Sequence, residues 1–367
     1  MPVKSSSSCD SPSEQVALGQ DGVTVSRLVL GGMALSQAAS TQAAARLVDE
    51  ATDLGIRAID TAPLYGYGTS ERVLGRVIAS RRDQLEVLTK VGLRWDDSHG
   101  EVLFAVDDPR LGRVTVRRDG RPESIRREVE ASLQRLGLER LGLVQLHHVD
   151  PDIALAETMG ELAELRQQGK LRAIGICNAT RAQVQAAQRA TGGNLVAIQC
   201  EYNLLARHVE TEALTAARES GTAFLAYSPL AQGILAGRML DGRALPHDYR
   251  AHEPAFAARN LERIHERMHN AMVPLAEAHR TSLAAVALAW VLARPGVAAV
   301  IAGASEPRQL ATLAPALTLR LPASDHAHLD RAFRGLRLVD PSQPTLARRV
   351  ARRARRWVRA AIGRRRV

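Results

Sequence analysis

Eight short apolar or β-branched runs recur along the chain, at residues 26–30, 56–60, 85–90, 141–146, 171–176, 195–199, 222–227 and 297–302. Helical spacing fills the gaps between several of them. In 155–168, Leu155, Met159, Leu162 and Leu165 fall on one helical face, and in 123–136 Ile125, Val129, Leu133 and Leu136 do the same. Gly169 stops the first of these helices, and KLRAIGI opens the next run. Strands alternating with helices are the signature of parallel sheets with crossover helices, and eight of them predict an α/β fold of the (β/α)8, or TIM, barrel class. An open doubly wound sheet is the alternative. The first run is not followed by GxGxxG, which counts against it.

Polar residues stand where these runs end. Asp60 and Tyr65 lie in IRAIDTAPLYGYG, Lys90 in EVLTKVG and His147 in LVQLHH. A barrel of parallel strands brings such ends together on one face. The residue types suit proton transfer. A free phenol, with a pKa of ~10, is a reluctant acid near neutrality. A neighbouring ammonium lowers that value, and an aspartate holds the ammonium charged and in place. An imidazole shares a substrate oxygen or helps a proton move. Tyr65 follows Asp60 across a turn containing Pro63, so both side chains can face one cavity.

Two connections exceed an ordinary strand-to-helix loop. In 92–121, EVLFAV and RVTVRR flank DDPRLG, which predicts a β-hairpin. In 228–281, a glycine-containing opening, SPLAQGILAGR, leads to an extra helix over about 256–279. Both leave from the face that carries the polar strand ends, so they read as pocket walls. A further helix is expected over 323–336.

DTAPLYGYGTSERVLG, with the lysine and histidine contexts, resembles the aldo-keto reductases, and the resemblance runs from about residue 25 to about residue 317. It implies a catalytic tetrad of Tyr65, Lys90, Asp60 and His147. His147 rather than His148 takes the histidine place, because it closes LVQLH. The family's usual aspartate before that run is Gly142 here, a change expected to affect packing rather than chemistry. The resemblance also implies a nicotinamide cofactor, NADPH rather than NADH, bound extended without a dinucleotide-binding domain. Cys177 and Asn178, in IGICNAT, stand where the family has Ser-Asn. Asn178 and Gln199, in AIQCEYN, would bind the nicotinamide carboxamide. Tyr227, in AYSPL, would stack on its ring, Ser228 and Leu230 would line the pyrophosphate, and Gly233 and Leu235 continue that loop. IAGASEPRQL resembles the family's phosphate turn: Ser305 and Gln309 match family positions, Gly303 and Arg308 stand beside them as further cofactor-binding candidates, and Thr312-Leu313 replace the family's Glu-Asn pair. Tyr67, Trp95 and His148 would wall the substrate pocket.

The activity so implied is reversible reduction of an aldehyde or ketone, with Tyr65 as general acid. The substrate would be a small carbonyl or sugar-like molecule, since the motif around Tyr65 also resembles bacterial aldose dehydrogenases. The alternative is a nicotinamide-sensing regulatory subunit. QCEYNLLARHVE and SPLAQGIL resemble the potassium-channel β-subunits of the same superfamily, and a sensor would bind cofactor without physiological turnover.

Charge and cysteine bound the rest. The net charge of +10 is carried by residues 341–367, which hold ten arginines and no acid or lysine; the rest of the chain is near neutral. Sequence-specific nucleic-acid binding is therefore not expected of the body. Residues 1–18 read as a flexible polar leader, 19–340 as the barrel and 341–367 as an Arg-rich tail. Within the tail, Val350, Ala354, Trp357, Val358, Ala361 and Ile362 predict a basic amphipathic helix over 345–363 that contacts anionic surfaces weakly. Cys9, Cys177 and Cys200 have no metal-ligand spacing, so no metal is expected. Three cysteines without a disulfide framework fit a cytoplasmic protein.

Overall fold

Eight parallel strands close into a barrel in chain order: β1 (Leu28–Gly31), β2 (Ala58–Asp60), β3 (Glu86–Val91), β4 (Leu141–Leu146), β5 (Leu171–Cys177), β6 (Leu195–Glu201), β7 (Ala223–Tyr227) and β8 (Val297–Gly303). Each of the eight sequence runs is one of these strands, with ends shifted by at most two residues. The structure is a computed structural model and describes residues 14–19, 23–108, 110–240, 250 and 253–339. The basic helix expected over 345–363 lies outside the described residues.

Side chains alternate between the two faces of a strand, and this alternation builds the site. Val29, Ala58, Leu88, Leu143, Ala173, Ala197, Leu225 and Ala299 fill the barrel interior as one apolar cluster. Two residues further along the same strands come Asp60, Lys90, Gln145, Gln199 and Tyr227. The polar layer therefore sits directly above the apolar one, at the C-terminal mouth. The opposite end is closed by an antiparallel hairpin, Gln15–Leu18 paired with Val23–Ser26, which adds Leu18, Val23 and Val25 to the same cluster. Residues 15–18 fall in the stretch that the sequence reads as a flexible polar leader. They are instead a strand, held by the apolar surface that Leu18 buries.

The outer helices form for local reasons. Pro122 starts the helix Pro122–Leu136, and Gly137 ends it in the left-handed region at φ 64°. Thr180 and Gln183 form a reciprocal cap on Arg181–Ala190. Leu283–Leu292 is capped by Ser282 and apolar on nearly every side, which suits a helix buried almost all round. The helix expected over 323–336 is observed as Ala323–Phe333. The segment 256–279 is two α-helices, Ala258–Arg267 and Val273–Ala278, joined by a π-turn just before Pro274, which has no N–H to continue the ladder. No helix among the described residues is long and apolar enough to cross a membrane.

The hairpin expected in 92–121 is present. Glu101–Asp108 pairs with Gly112–Arg118, which pairs in turn with Leu93–Arg94 just past the end of β3. Leu93, Val114 and Val116 bury one face of this sheet against Leu64, Tyr67 and Trp95. The hairpin thus roofs one side of the mouth.

Gly142 lies on the outer face of β4, where a Cβ would come within 1.7 Å of Glu86 Oε1. Glu86 fills that space and pairs with Arg172. The glycine thus leaves room on the outer wall for the Glu86–Arg172 pair.

Candidate active site

Lys90 is the hub of the mouth. Its Nζ donates to Asp60 Oδ1 at 2.5 Å, to the Thr61 carbonyl at 3.0 Å and to the Tyr65 hydroxyl at 3.2 Å. Lys90 and Asp60 are buried at the ends of neighbouring strands, whereas Tyr65 sits half-buried on the turn that follows β2. Backbone bonds hold that turn. Tyr65 N donates to the Ala62 carbonyl, and Ser70 N donates to the Tyr65 carbonyl. Thr61 Oγ1 and Ser70 Oγ lie 2.8 Å apart, and Ser70 Oγ donates to the Gly32 carbonyl, fixing the turn to β1. The His147 ring meets the Tyr65 ring edge-on at 6.3 Å and stacks on His148 at 5.6 Å. All four tetrad residues read from the sequence thus converge.

Burial dominates the titration of this group. It pushes the Tyr65 phenol above its ordinary value; Lys90 opposes that shift without overcoming it. The sequence reading, in which the ammonium lowers the phenol, names a real contribution but not the net direction. Burial would depress Lys90, yet Asp60 and then Tyr65 hold it above the ordinary lysine value. His147 is driven well below its ordinary value by burial, then by Lys90 and His148, so it is neutral near pH 7. Burial, with Arg118 assisting, lowers His148 to about 4. The phenol is therefore protonated at neutral pH, the ammonium is charged and both imidazoles are uncharged.

Gln145 and Gln199 complete the layer. Gln199 Nε2 donates to Asp60 Oδ2 at 2.8 Å, and Gln145 Nε2 reaches the same oxygen at 3.4 Å. Gln145 was not singled out from the sequence. Its signal was a lone polar residue in an otherwise apolar run, two positions before His147.

The cofactor residues read from the sequence surround this layer. Asn178, in the left-handed region at φ 53°, donates to the His147 carbonyl at 3.1 Å and accepts from the Tyr227 hydroxyl at 2.9 Å. Cys177 is buried, and its thiol is pushed well above the ordinary range by burial. Ser228 is also left-handed, and its carbonyl accepts from Asn203 Nδ2 at 2.9 Å. Ala231, Gln232 and Gly233 follow with three consecutive positive φ values of 46°, 56° and 100°. Within it Ala231 N donates to the Ser228 carbonyl at 2.9 Å and Gly233 N to the Leu230 carbonyl at 3.0 Å, so the loop is folded tightly on itself. Leu230 is half-buried, but the Leu235 side chain is fully buried in the core, so only its backbone can serve that loop. Across the mouth, Ser305 and Gln309 hydrogen-bond each other, and Arg308 is exposed and pairs with Glu306 at 2.5 Å.

These residues fit an extended dinucleotide. Gln232 Oε1 is buried with no partner among the described residues. At Gly303, a Cβ would meet nothing within 4 Å, so the end of β8 opens into free space beside the Ser305 turn. No group of acids, histidines and cysteines among the described residues could hold a metal ion. A separate cavity of about 120 Å³, lined by Arg27, Leu292, Leu317 and His326, lies at the N-terminal end of the strands and is not part of this site.

A closed eight-stranded barrel with a buried acid–lysine pair beside a tyrosine and a histidine at its C-terminal mouth defines an oxidoreductase of the TIM-barrel class. The Aldo/keto reductase family model matches residues 27–334, and the chain belongs to that family. It is 33% identical over 322 residues to the NADH-specific methylglyoxal reductase of Escherichia coli (strain K12), covering 85% of this chain and 96% of that one. It is 30% identical over 339 residues to the aldo-keto reductase YhdN of Bacillus subtilis (strain 168), covering 90% and 96%. Among solved structures, the glycerol dehydrogenase AKR11B4 from Gluconobacter oxydans superposes with a TM-score of 0.79 at 31% identity, covering 91% of this chain and 99% of that one.

Proposed function

We propose that the protein reduces a small aldehyde or ketone to its alcohol, reversibly, with Tyr65 as the general acid. The observation that carries this reading is the contact of the Tyr65 hydroxyl with Lys90 Nζ at 3.2 Å, itself tied to Asp60 at 2.5 Å. A bound reduced nicotinamide supplies the hydride. The chain's own residues do the rest. Tyr65, kept protonated by burial, gives its proton to the carbonyl oxygen as negative charge develops there. Lys90 sits beside the phenol oxygen and stabilises the phenolate left behind. Asp60 keeps Lys90 charged, and neutral His147 orients the substrate oxygen by a hydrogen bond.

The phosphate turn supports NADH over the NADPH expected from the sequence. Arg308, the cation expected to bind a 2′-phosphate, is exposed and paired with Glu306. A 2′-phosphate would have to enter beside that carboxylate, whereas a ribose hydroxyl can donate to it. The similar methylglyoxal reductase is NADH-specific by name, which points the same way.

The test is oxidation of NADH and of NADPH with a panel of small aldehydes, followed by loss of reduced-nicotinamide absorbance. Sustained turnover, with a higher kcat/KM for NADH, is the expected result. Tight cofactor binding without turnover of any carbonyl would overturn the reductase reading in favour of a sensor.

A further inference from the structure

His148 touches both halves of the site. Its ring stacks on His147, with centroids 5.6 Å apart and planes 23° from parallel. Its Nε2 lies 3.3 Å from Asn178 Nδ2. His147 is the imidazole assigned to the substrate oxygen, and Asn178 is the amide expected to hold the nicotinamide carboxamide. These two neighbours follow different strands, β4 and β5. Asn178 Nδ2 also donates to the His147 carbonyl at 3.1 Å, so the gap between the strand ends is bridged twice through one amide nitrogen.

The surroundings fix the direction of each bond. A carbonyl oxygen only accepts, so the Asn178 atom that faces the His147 carbonyl is the amide nitrogen. That nitrogen only donates. His148 Nε2 is therefore the acceptor, and the ring proton sits on Nδ1. The neutral imidazole this requires is the one that burial, then Arg118, maintains at neutral pH by lowering His148 to about 4. The amide oxygen accepts from the Tyr227 hydroxyl at 2.9 Å, and the Asn178 backbone N–H donates to the Gln199 carbonyl at 2.9 Å. Both side-chain N–H groups of Asn178 are thus engaged inside the protein, and without His148 one of them loses its acceptor.

We propose that His148 is a positioning residue, which locks the Asn178 amide for the nicotinamide and braces it against His147, so that one side chain sets the cofactor's place relative to the substrate oxygen. The sequence reading gives His148 to the substrate wall; its bonds give it this second task. The stack alone could not do it, because two nearly parallel rings can slide past each other, and the bond to Asn178 stops the slide. Alignment of this kind matters to rate, since a misplacement of about 1 Å between reacting groups can cost about 100-fold. The inference rests on the nicotinamide reading of the site but not on turnover, so binding measurements test it directly.

The test separates the hydrogen bond from the ring. His148→Phe keeps a flat ring against His147 and removes the acceptor; His148→Gln returns an acceptor oxygen at about the reach of Nε2. Calorimetric titration compares NADH with ADP-ribose, which lacks the nicotinamide. In His148→Phe, NADH affinity should fall by about 3- to 10-fold, the size of one lost hydrogen bond, while ADP-ribose affinity holds. His148→Gln should recover most of the loss, which a packing role would not produce. With a small aldehyde, kcat of His148→Phe should fall while KM for the aldehyde changes little, since alignment is lost and not substrate binding. If no carbonyl turns over but the NADH loss and its rescue are seen, the reductase reading fails and the positioning role stands. Equal NADH affinity in the wild type and His148→Phe, or equal weakening of NADH and ADP-ribose, would overturn the proposal even in an active reductase.

Discussion

Gln199 and Asp60 reach each other across the full width of the barrel. They belong to β6 and β2, which lie four places apart in a ring of eight strands, and their side chains meet at 2.8 Å. The amide expected to hold a nicotinamide carboxamide is therefore also a strut between opposite walls, fastened to the carboxylate that holds the lysine.

Replacing Gln199 by Leu should thus act on more than cofactor binding. Asp60 Oδ2 would keep only the longer bond from Gln145. A buried, charge-assisted bond of this kind contributes about 1.5–3 kcal/mol. The expected outcome is a lower denaturant midpoint together with weaker dinucleotide affinity. An unchanged midpoint would show that the strut carries no stability.

Tyr65→Phe removes the proton donor and leaves Lys90 on Asp60 and Thr61. Turnover should fall by about 10²–10⁴-fold, while dinucleotide affinity, read by cofactor fluorescence, stays within a few-fold. Lys90→Met should be similarly damaging to turnover, and in addition should destabilise the fold, because Asp60 would be left as a buried charge without its partner. Full carbonyl turnover in Tyr65→Phe would remove Tyr65 from its role.

The pH profile follows from the directions of two shifts. Reduction needs a protonated phenol. Burial raises Tyr65, so the rate should stay level across neutrality and fall only above about pH 10, the ordinary phenol value. His147 lies well below its ordinary value, so no inflection should appear near pH 6.5. Alcohol oxidation needs the phenolate and should rise with pH. A reduction profile that declines between pH 6 and pH 8 would contradict this ordering.

Glu128 sets a pH dependence of stability. It lies buried beneath the root of the roof, where Oε1 accepts from Gly92 N at 3.0 Å and Oε2 has no partner among the described residues. Burial pushes its carboxyl up to about 8. Its folded value exceeds its unfolded value, so the folded state holds the extra proton between about pH 4.3 and that point. Stability should therefore fall as pH rises from about 5 to about 8, and Glu128→Gln should flatten that slope. Chemical denaturation at several pH values measures it; an identical slope in the variant would assign the effect elsewhere.

Glu306→Gln should raise affinity for NADPH relative to NADH, because the carboxylate that competes with a 2′-phosphate for Arg308 is gone. Fluorescence titration with both dinucleotides checks this. An unchanged ratio would show that the pair does not set the preference.

The barrel was legible because its strands are buried on both faces, so each appears as an apolar run whatever its neighbours. Asp60, Lys90 and His147 were legible for the complementary reason, since a charged or polar residue closing such a run has few structural uses. Less could be read where the cause is three-dimensional. Residues 15–18 are a strand because Leu18 caps the interior cluster, and four residues of mixed polarity do not announce that. The direction of the Tyr65 shift depends on how much water the turn excludes, which the spacing of a tyrosine and a lysine does not encode. Leu235 matched a loop position, yet its side chain points into the core.

Leu18, Val23 and Val25 close one end of the barrel. Below the polar layer the interior is packed solid by side chains from all eight strands, so anything that reaches Tyr65 has only the C-terminal rim to come and go by. The short strand pair at the far end does a different job: it keeps water off the underside of that packing, so the floor on which Asp60 and Lys90 stand stays dry from both sides.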